Sequence, residues 1–375
     1  MNSSDVDTRM SFSIRQLFFA LSSVLGIIVL LHLGRTALVP LAFALLISFI
    51  LYPICSYLER LGAGRMWAII WTIMGVVLLI SGITFLFSTQ IINIVREFDH
   101  FKEKLNDVVA GVTNFLNNKT SLIPDLDEDG LKEISRKWFS NKSGGLVTDT
   151  LNNTALFLTG LTLTIIYTFL LLLYRRGLKK AFVNFAARDK RDQYAQMIDS
   201  MQRVGQKYLT GMFILIMVLG VLNSCGLLLI GIDYAFFFGF LAAFLAIVPY
   251  VGTTLGGAIP ALYAFMNYES YWYPLGVILM FWFIQILEGN FLNPKIVGGN
   301  LNLNALVAIL ALISGGLVWG IPGMILFLPY TAIFKVACEH YKELSPLSYV
   351  LKDDLYKKHE PETAVERKIK KIFKK

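Results

Sequence analysis

Charge is scarce in this sequence. Asp, Glu, Lys and Arg make up 16% of its 375 residues, against about 25% in soluble domains, so little is available to cover a water-facing surface. Cysteine is scarce too: Cys55, Cys225 and Cys338 lie far apart in or beside apolar stretches. With no CxxC pair they exclude a disulfide framework and read as small buried hydrophobes. The four histidines are scattered and make neither HxxxH nor HExxH, so no metal site is expected. The chain lacks GxxxxGK[ST] and any soluble domain to hold a nucleotide, which argues against direct ATP-driven pumping by this chain alone. It also lacks GxSxG and paired intramembrane aspartates. We expect no enzyme activity and no cofactor.

What is abundant is apolar sequence, at 55% of residues with a mean hydropathy of +0.60. It is arranged in blocks that recur from Leu17 to Ala337. A helix needs about 20 mostly apolar residues to cross a hydrocarbon core of about 30 Å. The fold class that follows is an all-α polytopic integral membrane protein with about eight transmembrane helices. The blocks at 13–33 and 36–57 read as a tight hairpin, and a third runs from Met66 to about Phe87. The first follows Arg9 and Arg15 as a signal peptide would, but no A-x-A-like cleavage site follows it, so it reads as a retained helix.

From Ile91 the pattern becomes amphipathic, with Val95, Phe98, Phe101, Leu105, Val108, Val112 and Phe115 at helical spacing. This helix either lies on the membrane surface or packs on a neighbouring subunit. A polar insertion follows at 117–150. Within it Asp125, Asp127, Asp129 and Gly130 resemble the start of a calcium loop, but Arg136 stands where the bidentate Glu is needed, so a turn and a short helix fit better than a calcium site. A fourth helix spans about Asn153 to Tyr174. Arg175, Arg176, Lys179, Lys180, Arg188, Lys190 and Arg191 come next, ahead of a second amphipathic stripe from Tyr194 to Tyr208. A basic amphipathic helix beside a transmembrane helix reads as lying on the cytoplasmic leaflet. Placing this segment and the Lys-rich tail inside puts both termini in the cytoplasm and satisfies the positive-inside rule. The basic residues flank helices and do not interleave with a stacking surface, so nucleic acid is not an expected partner. The chain thus divides into 1–88 (first three helices), 89–150 (amphipathic helix and extracytoplasmic insertion), 151–209 (fourth helix and basic surface helix), 210–340 (core with broken helices) and 341–375 (basic tail).

Ordinary spanning helices stop being an adequate description in the C-terminal half. From Tyr234 onward an apolar stretch is interrupted by Pro249, Gly252, Gly256, Gly257 and Pro260. The Gly252-xxx-Gly256 spacing lets backbones approach closely, and Pro249 frees a carbonyl. Freed backbone groups in a bilayer must be buried in protein or line a polar cavity. This segment is therefore a kinked packing helix or a broken helix at a binding site. The next block runs from Trp272 to Leu287 into Glu288, the sole carboxylate between Glu269 and Glu339, with Gln285, Asn290, Asn293, Pro294, Lys295, Asn300, Asn302 and Asn304 around it. Charge at the bilayer centre costs about 2.5–3.5 kcal/mol or more. We expect a re-entrant or broken segment with Glu288 partly buried, and Lys295 is a candidate ion-pair partner. The stretch from Ala305 to Ala337 is interrupted by Gly315, Gly316, Gly320, Pro322, Gly323 and Pro329 and exceeds one crossing. It fits either a crossing helix broken near Gly320 or two half-length segments. Paired Gly/Pro-interrupted stretches point to a transporter site.

At these residues the chain resembles the autoinducer-2 exporter family. The matching stretches are IVPYVGTTLGGAIPA (247–261), ILEGNFLNPKIVGGNLNLN (286–304) and GGLVWGIPGMILFLPYTAIFKV (315–336), with LVPLAFALLISFILYPICSYLER (38–60) resembling the family's first hairpin. One departure is Ala305, which follows Asn304 where the family often has a proline. The resemblance implies a prokaryotic inner-membrane transporter with eight crossings that forms homo-oligomers, pentamers among them. It implies export of autoinducer-2 or sodium(lithium)/proton antiport. The expected partners are the lipid bilayer, further copies of the chain, and a small polar solute or a monovalent cation and proton. The expected pathway residues are Glu288, Asn290, Asn293, Pro294, Lys295, Asn302, Asn304, Pro249, Tyr250, Gly252 and Gly256. Helix breaks and packing fall to Pro260, Gly316, Gly320, Pro322, Gly323 and Pro329. A membrane scaffold assembled through the amphipathic helices is the competing reading.

Overall fold

In a bilayer every backbone polar group must be satisfied within the protein, so long apolar runs become helices. The computed structural model describes residues 14–96, 143–248, 251–298 and 303–352, and every regular element there is helical. The outer part of the first amphipathic stripe, most of the polar insertion with Asp125–Gly130, residues Pro249, Tyr250, Asn300 and Asn302, and the tail beyond 352 lie outside the described residues.

The chain begins with α1 (Ile14–Leu33), α2 (Arg35–Arg60) and α3 (Arg65–Arg96). Then come α4 (Ser143–Asn184) and α5 (Arg191–Ile230). Among the described residues six helices are long and apolar enough to cross a membrane, and shorter apolar helices accompany them. Large apolar side chains along α1, α3 and α4, such as Leu25, Leu78, Phe85 and Phe157, stand exposed. That surface is costly in water and is the solvated face in lipid. The chain is a multi-pass membrane protein.

The basic amphipathic segment and the fifth apolar block, read from sequence as separate helices, are one helix across 209/210. With 40 residues, α5 is about 60 Å long at 1.5 Å per residue and outlasts a hydrocarbon core of about 30 Å. It is the axis of the molecule. At its start α2, α3 and α4 pack around Leu51, Cys55, Ile69 and Leu172. One nitrogen of Arg175, Nη2, donates to both Glu59 carboxylate oxygens at 2.8 and 2.6 Å, and the guanidinium lies 4.8 Å from the centre of the Tyr52 ring. The side chains are only 14% and 17% exposed, so removing one leaves the other charged and poorly solvated. Glu59→Gln is expected to cost about 3 kcal/mol, read as a lower thermal midpoint of the detergent-purified protein.

The second half is built from two antiparallel helical hairpins. At the end of α5, Gly231 adopts the left-handed conformation (φ +87°) that ends the helix. The chain then enters α6 (Ala235–Leu245) and returns along α7 (Val251–Asn267). The reversal is read from the contacts. The Gly256 position faces Ala242, the rings of Phe238 and Tyr263 are 4.9 Å apart, and the Tyr268 hydroxyl accepts from the Asp233 N–H at 2.9 Å. Burial pushes the Tyr268 phenol up to about 12, so it keeps its proton near neutrality beside the Gly231 carbonyl and the Asp233 carboxylate. With 11 residues, α6 reaches only about 16 Å, half the hydrocarbon core. What the sequence presented as one interrupted stretch is a hairpin that re-emerges where it entered.

Next, α8 (Trp272–Leu287) runs back along α5 and continues through π-helical turns over Glu288–Leu292 and Pro294–Gly298. Asn304 starts α9 (Ala305–Trp319): its side-chain oxygen accepts from the N–H groups of Leu306 and Val307. Gly320 (φ +66°) then turns the chain into α10 (Ile321–His340). The stretch is two paired segments, but only α9, with 15 residues, is short; α10, with 20, is long enough to cross a membrane. Gly315 and Gly323 lie against each other's carbonyls, and Trp319 meets Phe327 edge-on at 5.5 Å. The open end of this hairpin sits at the start of α5, where Gln193 donates to the His340 carbonyl at 3.1 Å and Tyr341 bonds Tyr194 at 2.8 Å. A short α11 (Ser345–Leu351) closes that end through hydrogen bonds to Asn304. The hairpins therefore enter the bundle from opposite ends of α5.

Candidate functional site

The two hairpins approach each other beside the middle of α5. Leu328 of α10 packs on a cluster formed by Leu215 and Leu219 of α5, Ala243 of α6, Ile284 of α8 and Val297 of the π-helical segment. Next to this cluster is a narrow cavity of about 20 Å³ lined by Leu219, Asn223, Ala242, Ala246, Gly252, Gly256, Phe281, Ile284, Gln285 and Glu288. Its walls are α5, the tip of the α6–α7 hairpin and the last turn of α8.

Small residues make room for that wall. Gly252 and Gly256 occupy one face of α7, four residues apart. A Cβ on Gly252 would strike the Leu245 carbonyl at the hairpin tip, and one on Gly256 would sit 3.0 Å from Ala242. The sequence reading of close backbone approach holds at both positions, and it is this approach that brings the hairpin tip to the cavity.

Glu288 closes the cavity from α8 and is 9% exposed. Among the described residues no ion pair or hydrogen bond engages its carboxylate. Lys295, the partner anticipated for it, is exposed and makes no ion pair with it. The backbone here is π-helical: the Asn293 N–H reaches back to the Glu288 carbonyl, five residues away. Pro294 supplies no N–H, and widened turns of this kind recur at functional sites.

The other expected pathway residues fall in several places. Asn290, Asn293, Pro294 and Lys295 are exposed, and Asn290 donates to the Ile286 carbonyl at 2.9 Å. Asn304 is occupied as the N-cap of α9. Pro249, Tyr250 and Asn302 lie outside the described residues. Pro260 and Pro329 are buried in α7 and α10. Gly316 faces Met324 within the α9–α10 pair, and Pro322 stands at the start of α10.

Sequence reasoning missed Asn223. It is 4% exposed and lines the cavity from α5. Its Nδ2 approaches the Gly239 carbonyl at 3.4 Å, while Oδ1 is buried with no hydrogen-bond partner among the described residues. The neighbouring Ser224 hydroxyl is likewise buried and without a partner among the described residues. The signal was available, since Asn223-Ser224 is a polar pair inside the run FILIMVLGVLNSCGLLLI. Buried polar atoms without partners cost about 1–3 kcal/mol each, so a protein keeps them where they are used. The Asn223 carbonyl, the Gln285 amide and the Glu288 carboxylate form an oxygen-rich set that suits a hard monovalent cation, a proton or a small polar molecule. No cluster of His, Cys, Asp and Glu able to hold a metal ion occurs among the described residues.

The chain is similar to known proteins over most of its length. The family profile described as AI-2E family transporter matches residues 17–343. The chain is 24% identical to the AI-2 transport protein TqsA of Escherichia coli, over 88% of this chain and 94% of that protein. It is 26% identical to YrrI of Bacillus subtilis, provisionally named a transport protein, over 82% of this chain and 87% of that one.

Proposed function

The chain belongs to the AI-2E family of transporters, and on that premise we propose that it is a secondary transporter whose coupling group is Glu288, moving a small polar solute across the prokaryotic inner membrane. The observation that carries this reading is a buried carboxylate without a counter-charge among the described residues, set between α5 and the tip of the α6–α7 hairpin. Discontinuous helices meeting at mid-depth are where secondary transporters bind their cargo. A carboxylate there is costly unless it pairs or serves a pathway. The solute reaches Glu288, Gln285 and Asn223 when the tip of the α6–α7 hairpin moves off α8. The name of its E. coli relative makes AI-2 the first solute to test. The same reading places both termini in the cytoplasm and the working unit as a homo-oligomer.

Sodium(lithium)/proton antiport is the second reading, and the size of the cavity favours it. About 20 Å³ holds a body the size of one water or one dehydrated ion. Burial favours the protonated form of a carboxylate and a bound cation favours the ionised form, so one group serves both in turn.

The test uses full-length protein in inside-out vesicles. Pre-formed pH gradients are followed on adding sodium, lithium or potassium, and uptake of labelled AI-2 is followed in parallel. Solute uptake with silent cation additions is the expected result. Gradient dissipation by sodium or lithium alone would replace it with antiport. Neither response from well-expressed protein would overturn the transporter reading at this site and return the scaffold reading to the front.

A further inference from the structure

Away from the transport cavity, at the start of α3, lies a group of arginines whose charge the described residues do not balance. Arg65 opens α3 and donates from Nη2 to the Leu172 carbonyl of α4 at 3.1 Å. Arg175 and Arg176, just past Leu172, are within electrostatic reach of it, and Glu59 is the carboxylate that faces the group. Glu59 is committed to Arg175. Asp199, farther along the chain, pairs with Lys179 at 2.6 Å. Arg65 Nε and Arg175 Nη1 are buried with no hydrogen-bond partner among the described residues. Arg176 is exposed, and Arg65 is half-buried.

The surroundings place this charge at the rim of the hydrocarbon. Tyr57, Trp67, Trp71 and Tyr174 stand 59–63% exposed on the same ends of α2, α3 and α4. Interfacial aromatics of this kind mark the headgroup level of a bilayer. From Leu78 to Leu86 the surface of α3 is apolar and exposed, ready to accept acyl chains. Guanidinium groups present planar donor forks that match phosphate oxygens, and basic pockets between transmembrane helices hold anionic headgroups.

We propose that Arg65 and Arg176, braced by the Arg175–Glu59 pair, form a binding site for the phosphate of an anionic phospholipid. The lipid's acyl chains lie along Trp67 and Trp71 of α3. The lipid supplies the counter-charge that the described residues omit and joins α3 to α4 at this end of the bundle. This inference does not depend on what the transporter carries.

The experiment measures the thermal midpoint of full-length protein in a neutral detergent while dioleoyl phosphatidylglycerol, dioleoyl phosphatidylcholine or inorganic phosphate is added. Phosphatidylglycerol should raise the midpoint in a saturating way by mass action, and phosphatidylcholine should not. The rise should be lost in R65Q/R176Q. It should be reduced but not lost in R65K/R176K, which keeps the charge without the planar fork, and kept in R188Q/K190Q, which removes as much charge elsewhere. Each variant's rise is read from its own midpoint in phosphatidylcholine, so that the Arg65 bond to the Leu172 carbonyl, lost in R65Q/R176Q, does not count as lost binding. An equal rise in wild type and R65Q/R176Q, or no rise in the wild type, would overturn the site. A rise produced by inorganic phosphate alone and lost in R65Q/R176Q would overturn the lipid assignment and give the arginines to a free anion.

Discussion

Glu288→Gln should lower transport at least about tenfold, a rise of about 1.4 kcal/mol or more in the rate-determining barrier, while leaving the protein as stable as the wild type or more so. The two effects have one cause. Gln keeps the shape and can still hydrogen-bond, so the cavity and the packing of Ile284 and Val297 around it remain. It cannot carry a negative charge or exchange a proton, so any cycle that alternates proton and cargo at this position stops. The charge it removes has no partner among the described residues and is buried at 9% exposure. An unpaired charge there opposes folding, and its removal relieves that cost. A mutant that is inactive and at least as thermostable is the signature of a functional group kept at the expense of stability. Vesicle uptake of labelled solute and the detergent melting curve, measured on the same preparation, test it. A mutant that transports normally would make Glu288 structural. One that is inactive because it no longer folds would show the carboxylate to have a stabilising partner.

The second large effect is expected at the hairpin tip. Gly252→Ala should destabilise the protein by about 1–3 kcal/mol, and Gly252→Val by more. A Cβ at this position meets the carbonyl of Leu245 and the backbone of Ala246, atoms that cannot rotate aside as a side-chain tip does. Relief requires α6 and α7 to separate, and the cavity wall that Ala242, Ala246 and Gly256 share would move with them. Transport should therefore fall together with the thermal midpoint. Gly75→Ala in α3 is the matched control. A Cβ there meets nothing within 4 Å, and replacing a helical Gly by Ala is worth up to about 1 kcal/mol in the stabilising direction. Opposite shifts in midpoint for the two alanine variants, each read by melting and by recovery of monodisperse protein, would confirm that packing at the tip sets the effect and not helix propensity.

Sequence by itself settled the class of the molecule. A bilayer leaves the backbone few options, so blocks of apolar residues with little charge must be helices that enter the membrane. The positions where that pattern failed, around Gly252, Glu288 and Gly320, were legible for the same reason: Gly, Pro and a lone carboxylate are expensive in a spanning helix. What could not be read was the direction in which the chain left each break. A kinked helix and a hairpin share the same local residues. Only the fit of Gly252 against the Leu245 carbonyl, and of Gly315 against Gly323, decides that the chain turns back.

Partnership was equally a tertiary matter. Lys295 lies seven residues from Glu288, and spacing alone allowed an ion pair. The π-helical turns leave Lys295 exposed and the carboxylate in the cavity, without that partner. Asn223 belongs to the site because α5 runs past the hairpin tip, a juxtaposition of residues 223, 252 and 288 that no local pattern encodes. The burial of α5 and the length of α6 are set by packing between segments far apart in the chain. Local sequence specifies which segments become helices, and the close contacts between them specify which polar groups are left to do chemistry.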